Sequence, residues 1–304
     1  MQLVTPGLSV LIINYNSGTY ACDCIDSLLK QENVALEIIV VDNASQDNSL
    51  AMLQEMFGDR IVLIVSKENL GFGRANNLAA KTASKEFVLV LNPDTHLADT
   101  HALSKLLAYL QQYPKFGMVG PAILEPRKNK QVLPRLRYPS ARSLKHTPQL
   151  QNLPGKIAWL LGACMLMRRS VYEELHGFDP DYFLYGEDAD ICLRLRQNGY
   201  EIGYCAEVSI THVSGASEIG ADSFDKWLRK KRGVFLFFQK HFDVRDTRKI
   251  AKNAIAKASM YLAILKLTHI FSFRNAQHAS DKINRLKATK VAAAEVLMQI
   301  KSSS

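Results

Sequence analysis

The segment Phe87-Val-Leu-Val-Leu-Asn-Pro-Asp94 decides the fold of this 304-residue chain. Its continuous apolar run predicts a buried strand of a parallel sheet, and Pro93 ends that strand because proline cannot donate to a neighbouring strand. Asn92 and Asp94 are two residues apart, so their side chains leave an extended chain on the same face. Open α/β sheets bind ligands at the carboxyl ends of their strands, where oxygen ligands suit Mg²⁺ or Mn²⁺ held together with phosphates. The alternative is a plain Asn-Pro-Asp turn.

The chain before this strand alternates between apolar runs and helical patterns. The runs are Leu8–Ile13, Leu36–Val41 and Ile61–Val65, and the helical patterns are Tyr20–Lys30, Ser49–Phe57 and Arg74–Thr82. Such alternation with short connections predicts an α/β fold, in which a mostly parallel sheet is covered by helices on both faces.

After Asp94 the organisation of the chain changes. A helix is predicted around Thr100–Tyr113, and an apolar strand at Trp159–Met167 returns the chain to the core. Between them, residues 125–158 are polar, basic and proline-containing, which indicates a long excursion from the core. Residues 222–242 are typical of a helix with aromatic anchors, and residues 245–300 of basic helices.

The net positive charge comes from the end of the chain. Of 38 basic and 29 acidic residues, residues 245–304 hold 12 basic and three acidic ones, which is the whole net charge of +9. A basic segment favours an anionic partner such as a membrane surface. No nucleic-acid-binding motif accompanies it, so a nucleic acid partner is not expected.

The cysteines predict reduced thiols in a cytosolic protein, because their spacing matches neither a zinc site nor a redox motif. They are Cys22, Cys24, Cys164, Cys192 and Cys205. A signal peptide or membrane-spanning helix is not expected. Leu8–Ile13 is too short for either, and Met260–Phe273 is interrupted by Lys266 and His269.

Three carboxylates, Glu187, Asp188 and Asp190, lie at the predicted start of a helix. Acids are favoured in a first helical turn because they face its unpaired N–H groups, so capping is one explanation. The aromatic run Tyr182–Tyr185 precedes them, and apolar surroundings raise a carboxylate pKa and make the group a better base. We therefore interpret the cluster as a candidate general base with its neighbours.

Polar residues also follow the earlier strands, at Asn14–Asn16, Asp42–Ser45 and Asn69–Asn77. Glycines in the third loop allow close backbone approach, and the helix that follows favours phosphate at its N-terminus. The loop is not a dinucleotide signature, because Asn76 stands where the last glycine should be, so a dehydrogenase is disfavoured. Each polar residue alone could be a turn cap.

Taken in order, these motifs resemble the family 2 glycosyltransferases of the GT-A fold, especially the rhamnosyltransferase-like branch. The matching segments, which span about residues 8–217, are Ile13–Asn16, Val41–Ser45, Asn69–Asn76, Leu91–Asp94, Gly162-Ala163, Gly177–Asp179, Tyr185–Arg194 and Thr211-His212. The resemblance implies a GT-A nucleotide-diphospho-sugar transferase fold, with a Rossmann-like sheet and a C-terminal helical extension. It predicts a glycosyltransferase domain over residues 1–220, divided at residue 94 into nucleotide-sugar and acceptor halves, and a helical extension over residues 221–304.

The resemblance also implies a role for each matching residue. Asp188 would be the catalytic base, with Glu187 beside it in the acceptor site. Asp94 and His212 would hold Mg²⁺ or Mn²⁺. The expected nucleotide-sugar-binding residues are Asn14, Tyr15, Asp42, Asn69, Gly71, Gly73, Asn76 and Asn92.

The expected reaction is transfer of a sugar, with inversion, to a hydroxyl of a lipid-linked or cell-surface polysaccharide precursor. The Asn-Pro-Asp form of the metal motif favours dTDP-rhamnose as donor, although Asn92 removes one negative charge from that motif. His176 is a second departure, since Gly is commoner there. The alternatives are a UDP-hexose or UDP-galactofuranose donor, a nucleotidyltransferase, and a catalytically silent nucleotide-sugar-binding partner. A nucleotidyltransferase is disfavoured because no basic glycine-rich loop follows the first strand.

The expected acceptor also indicates where in the cell the protein works. A glycan or polyprenyl-diphosphate-linked acceptor would be met at the inner face of the bacterial cytoplasmic membrane, where we expect this protein to be peripheral. A row of basic residues beside aromatic ones is typical of an interfacial helix. The basic residues are Lys226, Arg229, Lys230, Lys231 and Arg232, and the aromatic ones are Trp227, Phe235, Phe237 and Phe238. The alternative is that the C-terminal helices pack on the rest of the protein or form a homodimer.

Overall fold

Four parallel strands begin the fold, separated by helices as the apolar runs predict. A computed structural model describes residues 5–139, 150–213, 222–269 and 276–302. The strands are β1 (Gly7–Asn14), β2 (Ala35–Asp42), β3 (Val62–Val65) and β4 (Phe87–Leu91), and the helices are α1 (Thr19–Leu29), α2 (Ser49–Phe57) and α3 (Phe72–Ala80). β1 pairs in parallel with both β2 and β4, and β2 with β3. β1 is therefore the central strand of this half.

The later strands make the sheet mixed. They are β5 (Thr95–His96), β6 (Phe116–Glu125), β7 (Lys130–Val132), β8 (Cys164–Arg168) and β9 (Glu201–His212), accompanied by α4 (Ala102–Gln112), α5 (Arg169–Glu174) and α6 (Glu187–Gln197). The strand order is β3-β2-β1-β4-β8-β6-β9-β5, with β7 beside β6. β8 is antiparallel to both of its neighbours, whereas β6 and β9 are parallel.

Three strands of this half, β5, β6 and β7, have no counterpart in the sequence prediction, and one predicted strand begins late. The apolar strand predicted from Trp159 begins only at Cys164, because Trp159 makes an isolated bridge to Arg135 instead. Of the predicted excursion over residues 125–158, residues 140–149 lie outside the described part of the chain.

Helices cover both faces of the sheet, as expected for an α/β fold. Successive strand residues point to opposite faces, so Val10 and Ile12 of β1 join one apolar cluster while Leu11 joins the other. The first cluster includes residues of α1, α2 and α4, and the second includes residues of α3, α5 and α6. The predicted α/β architecture is confirmed.

A single side chain, Arg196 of α6, clamps two distant parts of the chain. Its Nη1 donates to Tyr138 Oη at 3.3 Å, its Nε to Pro154 O at 2.9 Å, and its Nη2 to Gly155 O at 3.0 Å. Arg196 is buried, and these acceptors satisfy its guanidinium. Arg196 therefore binds both the residue at which the chain leaves the sheet unit, Tyr138, and the residues at which it returns, Pro154 and Gly155.

The described residues fall into two compact units. The sheet unit holds residues 5–138, 153–183 and 187–213, and the helical unit holds 139, 150–152, 184–186, 222–269 and 276–302. The helical unit contains α7 (Ser223–His241), α8 (Val244–His269) and α9 (Ala276–Ser302). α9 packs against both other helices. None of the helices within the described ranges is long and apolar enough to span a membrane.

The structure places the aromatic residues of α7 differently from the interfacial helix that the sequence suggests. Phe235, Phe237 and Phe238 are buried. Arg232 forms an ion pair with Glu295 of α9 at 2.6 Å, and Trp227 donates to an acid of the same helix. The three phenylalanines of α7 are therefore packed inside the protein, whereas Trp227 is half-buried.

Candidate active site

The carboxyl ends of β1 and β2 carry a buried polar cluster. Asn14 and Asp42 face each other in the sheet register and are almost wholly inaccessible to solvent. Asn14 Nδ2 donates to Asp42 Oδ1 at 2.7 Å and lies 2.9 Å from Ser49 Oγ. Asp42 Oδ2 accepts from the backbone N–H of Ser45 at 3.1 Å. Both predicted nucleotide-binding residues are therefore held in place by protein groups.

Tyr15, half-buried, follows this cluster on the β1 loop. Its neighbour Asn16 joins that loop to the next one, since Asn16 Oδ1 accepts from Gln46 N at 2.7 Å. Asn16 takes a left-handed backbone conformation with φ of 50°, which asparagine tolerates better than most residues. The two loops, which carry the expected base-binding residues, are thus joined by hydrogen bonds into one layer.

Asn43 is a positioning residue that the sequence analysis did not single out. Its Nδ2 donates to Asn69 Oδ1 at 3.0 Å and to Gly71 O at 3.2 Å, while its Oδ1 accepts from Leu70 N at 2.8 Å. Asn69 Oδ1 also accepts from Gly71 N. The amide of Asn43 therefore fixes the predicted sugar-nucleotide loop, which is 26 residues away in sequence.

The two glycines of that loop are needed because other groups lie very close. Gly71 has φ of +78°, and a Cβ there would lie 2.3 Å from the carbonyl oxygen of Phe183. At Gly73 a Cβ would lie 3.0 Å from Phe178. Phe72 N donates to Phe183 O at 2.8 Å, so the loop is joined directly to the segment that leads towards the carboxylates.

Asn76, one turn into α3, is fully buried. Its Nδ2 donates to Phe72 O at 3.0 Å, within the same helix. Its Oδ1 has no partner among the described residues, although buried acceptors are usually satisfied. The structure therefore places Asn76 behind the glycine loop, with one acceptor still available.

Asn92, Asp94 and His212 come together beyond the end of β4. Asn92 Nδ2 lies 3.2 Å from His212 Nε2, and Asp94 Oδ1 lies 3.2 Å from the same nitrogen. β5 pairs with β9 in a register that sets Thr95 opposite His212, which explains this proximity across a long stretch of sequence. The Asp94 and His212 side chains are less than a tenth exposed.

A cleft of about 380 Å³ opens beside this group. It lies between α1 and the β5–β9 pair, and Asp94 is part of its wall. The other lining residues are Tyr20, Asp23, Asp26, Lys30, Thr95, His96 and Val213.

The three carboxylates at the start of α6 have three different environments. Asp190 is buried and accepts from Arg194 Nε at 2.8 Å, and Arg194 also holds the carbonyls of Leu175 and Gly177. Asp190 is thus engaged in an ion pair within the protein. Asp188 is only partly buried, and its Oδ1 accepts from Ala189 N at 2.8 Å.

Glu187 and Asp188 have raised pKa values. Burial, reinforced by the charge of Asp188, raises the pKa of Glu187 to about 8, and Glu187 Oε2 has no partner among the described residues. Burial raises the pKa of Asp188 to about 6, against the lowering effect of hydrogen bonds from Ala189 N and Gly162 N. At neutral pH Glu187 would therefore be protonated and Asp188 ionised.

The approach to β8 connects the carboxylate pair to the Asn92 group. Asn92 N donates to Ala163 O at 3.0 Å, and the preceding Gly162 N bonds to Asp188. A Cβ on Gly162 would lie 3.6 Å from the Cβ of Asp188, which is ordinary contact. Gly162-Ala163 is therefore a short bridge between the expected metal residues and the expected base.

The sheet topology, the polar residues along the carboxyl edge of β2, β1 and β4, and the raised-pKa carboxylate pair match the GT-A fold that the sequence motifs predict. The chain belongs to the glycosyltransferase like family 2, whose family model matches residues 6–233. It is similar to the O-antigen chain rhamnosyltransferase RfbN of Salmonella typhimurium, with 27% identity over 67% of this chain and 66% of RfbN. The matched part is thus slightly less than two thirds of that relative.

A second relative is matched over more of both chains. It is the N-acetylglucosaminyl-diphospho-decaprenol L-rhamnosyltransferase of Mycobacterium tuberculosis, with 24% identity over 77% of this chain and 84% of the relative. Among solved structures, the mannosyltransferase PcManGT from Pyrobaculum calidifontis in complex with GDP-Man and Mn²⁺ has a TM-score of 0.57 at 17% identity, over 99% of this chain and 77% of that one. The S. aureus TarS 1–349 chain has a TM-score of 0.56 at 16% identity, over 96% and 92%. These structures confirm the GT-A fold.

Proposed function

We propose that this protein is an inverting glycosyltransferase that moves rhamnose from dTDP-rhamnose to a hydroxyl group of a polyprenyl-diphosphate-linked glycan. Asp188 takes the proton of the acceptor hydroxyl as its oxygen attacks the anomeric carbon. The bond from that carbon to the phosphate oxygen breaks, and the nucleoside diphosphate leaves with the electron pair. One base without a protein nucleophile favours a single displacement, and a positioned base typically contributes about 10²–10⁴-fold to the rate.

The state of Asp188 is the observation that carries this proposal. Its partial exposure leaves it accessible to an acceptor, and a pKa of about 6 makes it more basic than an ordinary carboxylate while it stays ionised at neutral pH. Glu187, neutral at the same pH, leaves Asp188 as the only charged carboxylate of the pair. The different environments of the two acids thus give them different roles.

The residues at the Asn92 group fit a divalent metal ion. Asp94 and His212 offer one carboxylate and one imidazole that already converge, and Asn92 offers an amide beside them. Mg²⁺ and Mn²⁺ accept such a small oxygen and nitrogen set when substrate phosphates supply further ligands. Asp94 and His212 would hold the ion, whose charge offsets that of the leaving diphosphate. The Mn²⁺ in the PcManGT complex supports this expectation.

For the donor, we assign the nucleotide to the layer that contains Asn14, Tyr15 and Asp42, and the sugar to the Asn69–Asn76 loop. The names of the two rhamnosyltransferase relatives support rhamnose as the sugar. GDP-Man and UDP complexes among the structural neighbours support nucleotide sugars as the donor class.

For the acceptor, the name of the mycobacterial relative supports a lipid-linked diphosphate sugar. Such an acceptor requires contact with the inner face of the cytoplasmic membrane, and α8 offers a suitable surface. Its first half exposes Arg245, Arg248, Lys249, Lys252 and Lys257, and its later turns expose Met260, Tyr261 and Ile264. Basic residues near an anionic surface each contribute about 1 kcal/mol. We propose that the helical extension after residue 220 is this peripheral membrane domain.

Calorimetric titration of nucleotide sugars tests the donor assignment. The panel is dTDP-rhamnose, UDP-galactose, UDP-N-acetylglucosamine and GDP-mannose, each with and without Mn²⁺. We expect metal-dependent binding of dTDP-rhamnose, and weaker metal dependence when Asp94 is replaced by asparagine. Tighter binding of another donor would correct the sugar, and binding of none would overturn the enzymatic proposal.

A further inference from the structure

A short segment of the sheet unit combines cations with exposed apolar side chains. This basic arm consists of residues 130–137, in which β7 is followed by Leu133, Pro134, Arg135, Leu136 and Arg137. Leu133 is 59% exposed and Leu136 is 69% exposed, the latter being the most exposed large apolar side chain among the described residues. Exposed leucines beside arginines suit a ligand that has both an apolar and an anionic part.

The direction of Arg135 within the arm is fixed by Trp159. Arg135 N donates to Trp159 O at 2.9 Å, and Arg135 O accepts from Ala158 N at 2.8 Å. Trp159 Nε1 donates to Arg137 O at 3.1 Å, and the Arg135 guanidinium lies 5.9 Å from the centre of the indole ring. An arginine held over an aromatic face keeps its hydrogen-bond donors available for a ligand.

The arm is also close to the proposed base. The positive charge of Arg135 is one of the influences that lower the pKa of Asp188, against the larger raising effect of burial. Trp159 lies three residues before Gly162, whose N–H bonds to Asp188. Arg135 therefore lies near enough to Asp188 for its charge to act on that carboxylate.

Two lysines of this region are already paired with a carboxylate. Lys128 and Lys130 both pair with Glu125, at 3.1 Å and 3.3 Å. No ion pair joins Arg135 to a carboxylate within the described parts of the chain. A guanidinium binds phosphate oxygens through two parallel hydrogen bonds, which gives it geometric selectivity for such groups.

We propose that Arg135 binds the diphosphate of the acceptor and that Leu133 and Leu136 contact the first units of its hydrocarbon chain. This subsite rests on the proposed function, because it requires a lipid-linked diphosphate acceptor. It sets the acceptor sugar between the diphosphate and Asp188, with the Trp159 ring beside it. The basic arm would thus select acceptors by their anionic link to the lipid.

Two probes separate the anionic part of this ligand from the apolar part. Farnesyl diphosphate carries both, and inorganic pyrophosphate carries only the first. Calorimetric titrations are made with saturating nucleoside diphosphate and Mn²⁺, so that the metal-dependent donor site is already filled. Losing one charged hydrogen-bonding group typically weakens binding about tenfold, so we expect Arg135→Gln to weaken binding of both probes by that factor.

Two further variants complete the design. Lys130→Gln removes a charge from the same arm and should change the dissociation constants less than twofold. A Leu133→Ser/Leu136→Ser variant should weaken binding of farnesyl diphosphate alone. Equal effects of Arg135→Gln and Lys130→Gln, or no binding of either probe to the unaltered protein, would overturn the assignment of Arg135. An unchanged farnesyl diphosphate affinity in the leucine variant would overturn the hydrocarbon contact.

Nucleotide-sugar binding is measured on the same samples. Retained donor binding by Arg135→Gln shows that the variant is folded and that only the acceptor side has changed. If the unaltered protein binds no nucleotide sugar, the proposed function fails whatever the farnesyl diphosphate titration shows. The two proposals can therefore fail separately.

Discussion

Alanine at Gly71 should destabilise the sheet unit more than alanine at Gly199. Both glycines have left-handed backbone conformations, with φ of +78° and +89°. A Cβ at Gly199 meets no atom within 4 Å, whereas at Gly71 it would lie 2.3 Å from the Phe183 carbonyl oxygen. The pair therefore separates the cost of the backbone conformation from the cost of the close contact.

The magnitude follows from these contacts. A left-handed conformation costs a non-glycine residue about 1–2 kcal/mol, which applies to both variants. At Gly71 the carbonyl must also move by roughly 1 Å to reach an ordinary contact distance, and this breaks its 2.8 Å hydrogen bond from Phe72 N. Leaving such groups unpaired costs about 1–3 kcal/mol. We expect a loss of about 2–5 kcal/mol for Gly71→Ala and about 1–2 kcal/mol for Gly199→Ala.

Urea unfolding followed by fluorescence measures the difference. The chain has two tryptophans, so a Trp227→Phe background leaves Trp159 as the reporter for the sheet unit. The donor dissociation constant should also rise for Gly71→Ala, because the same loop is proposed to bind the sugar. Equal losses of stability in the two glycine variants would refute the argument from the Phe183 contact.

Three other perturbations test different parts of the molecule. Because the pKa of Asp188 is raised to about 6, kcat/KM should fall as the pH drops below 6, and a flat pH profile would contradict this. Replacing Asp188 with asparagine should lower turnover about 10²–10⁴-fold, while the dissociation constant of the donor stays within about twofold. Glu187, with a pKa raised to about 8 when folded, keeps a proton that the unfolded chain releases near 4.5, so stability should fall as pH rises from 5 to 8. In urea unfolding, the decrease in the free energy of unfolding from pH 5 to 8 should be about 3 kcal/mol smaller for Glu187→Gln than for the unaltered protein. The same pH dependence in the variant and the unaltered protein would disprove this assignment. Replacing Met260 and Ile264 with serine should reduce flotation with anionic liposomes several-fold. The control Met298→Ser, at an exposed position of α9, should not reduce it. Equal flotation of all variants would exclude α8 as the membrane-binding surface.

The first half of the fold could be predicted because its signals are local. β4 is a continuous apolar run and β1 is interrupted only by Ser9, and each buries residues on both faces of the sheet. β9 gives a weaker signal, because exposed and buried positions mix along its length and its partner β6 lies about 85 residues earlier. Pairing over that distance depends on the whole fold rather than on a pattern within one segment.

The residues of the candidate site also differ in whether a local sequence pattern could predict them. Asn92, Asp94 and Asp188 stand in recognisable motifs, and the structure places them around the Gly162-Ala163 bridge. The role of Asn43 depends on partners far along the chain, so no short pattern could indicate it. The pairing of Asp190 with Arg194 is different, because their spacing of four residues on a helix was visible in the sequence.

The Arg196 clamp has a consequence for how this chain can vary. The two ends of the segment between residues 138 and 154 are fixed by one side chain, so the sheet does not depend on the length of what lies between them. Doubling the length of such a closed segment costs only about 0.6 kcal/mol in chain entropy. A change in the length of this segment should therefore leave β1, β2 and β4 and the polar residues at their ends undisturbed.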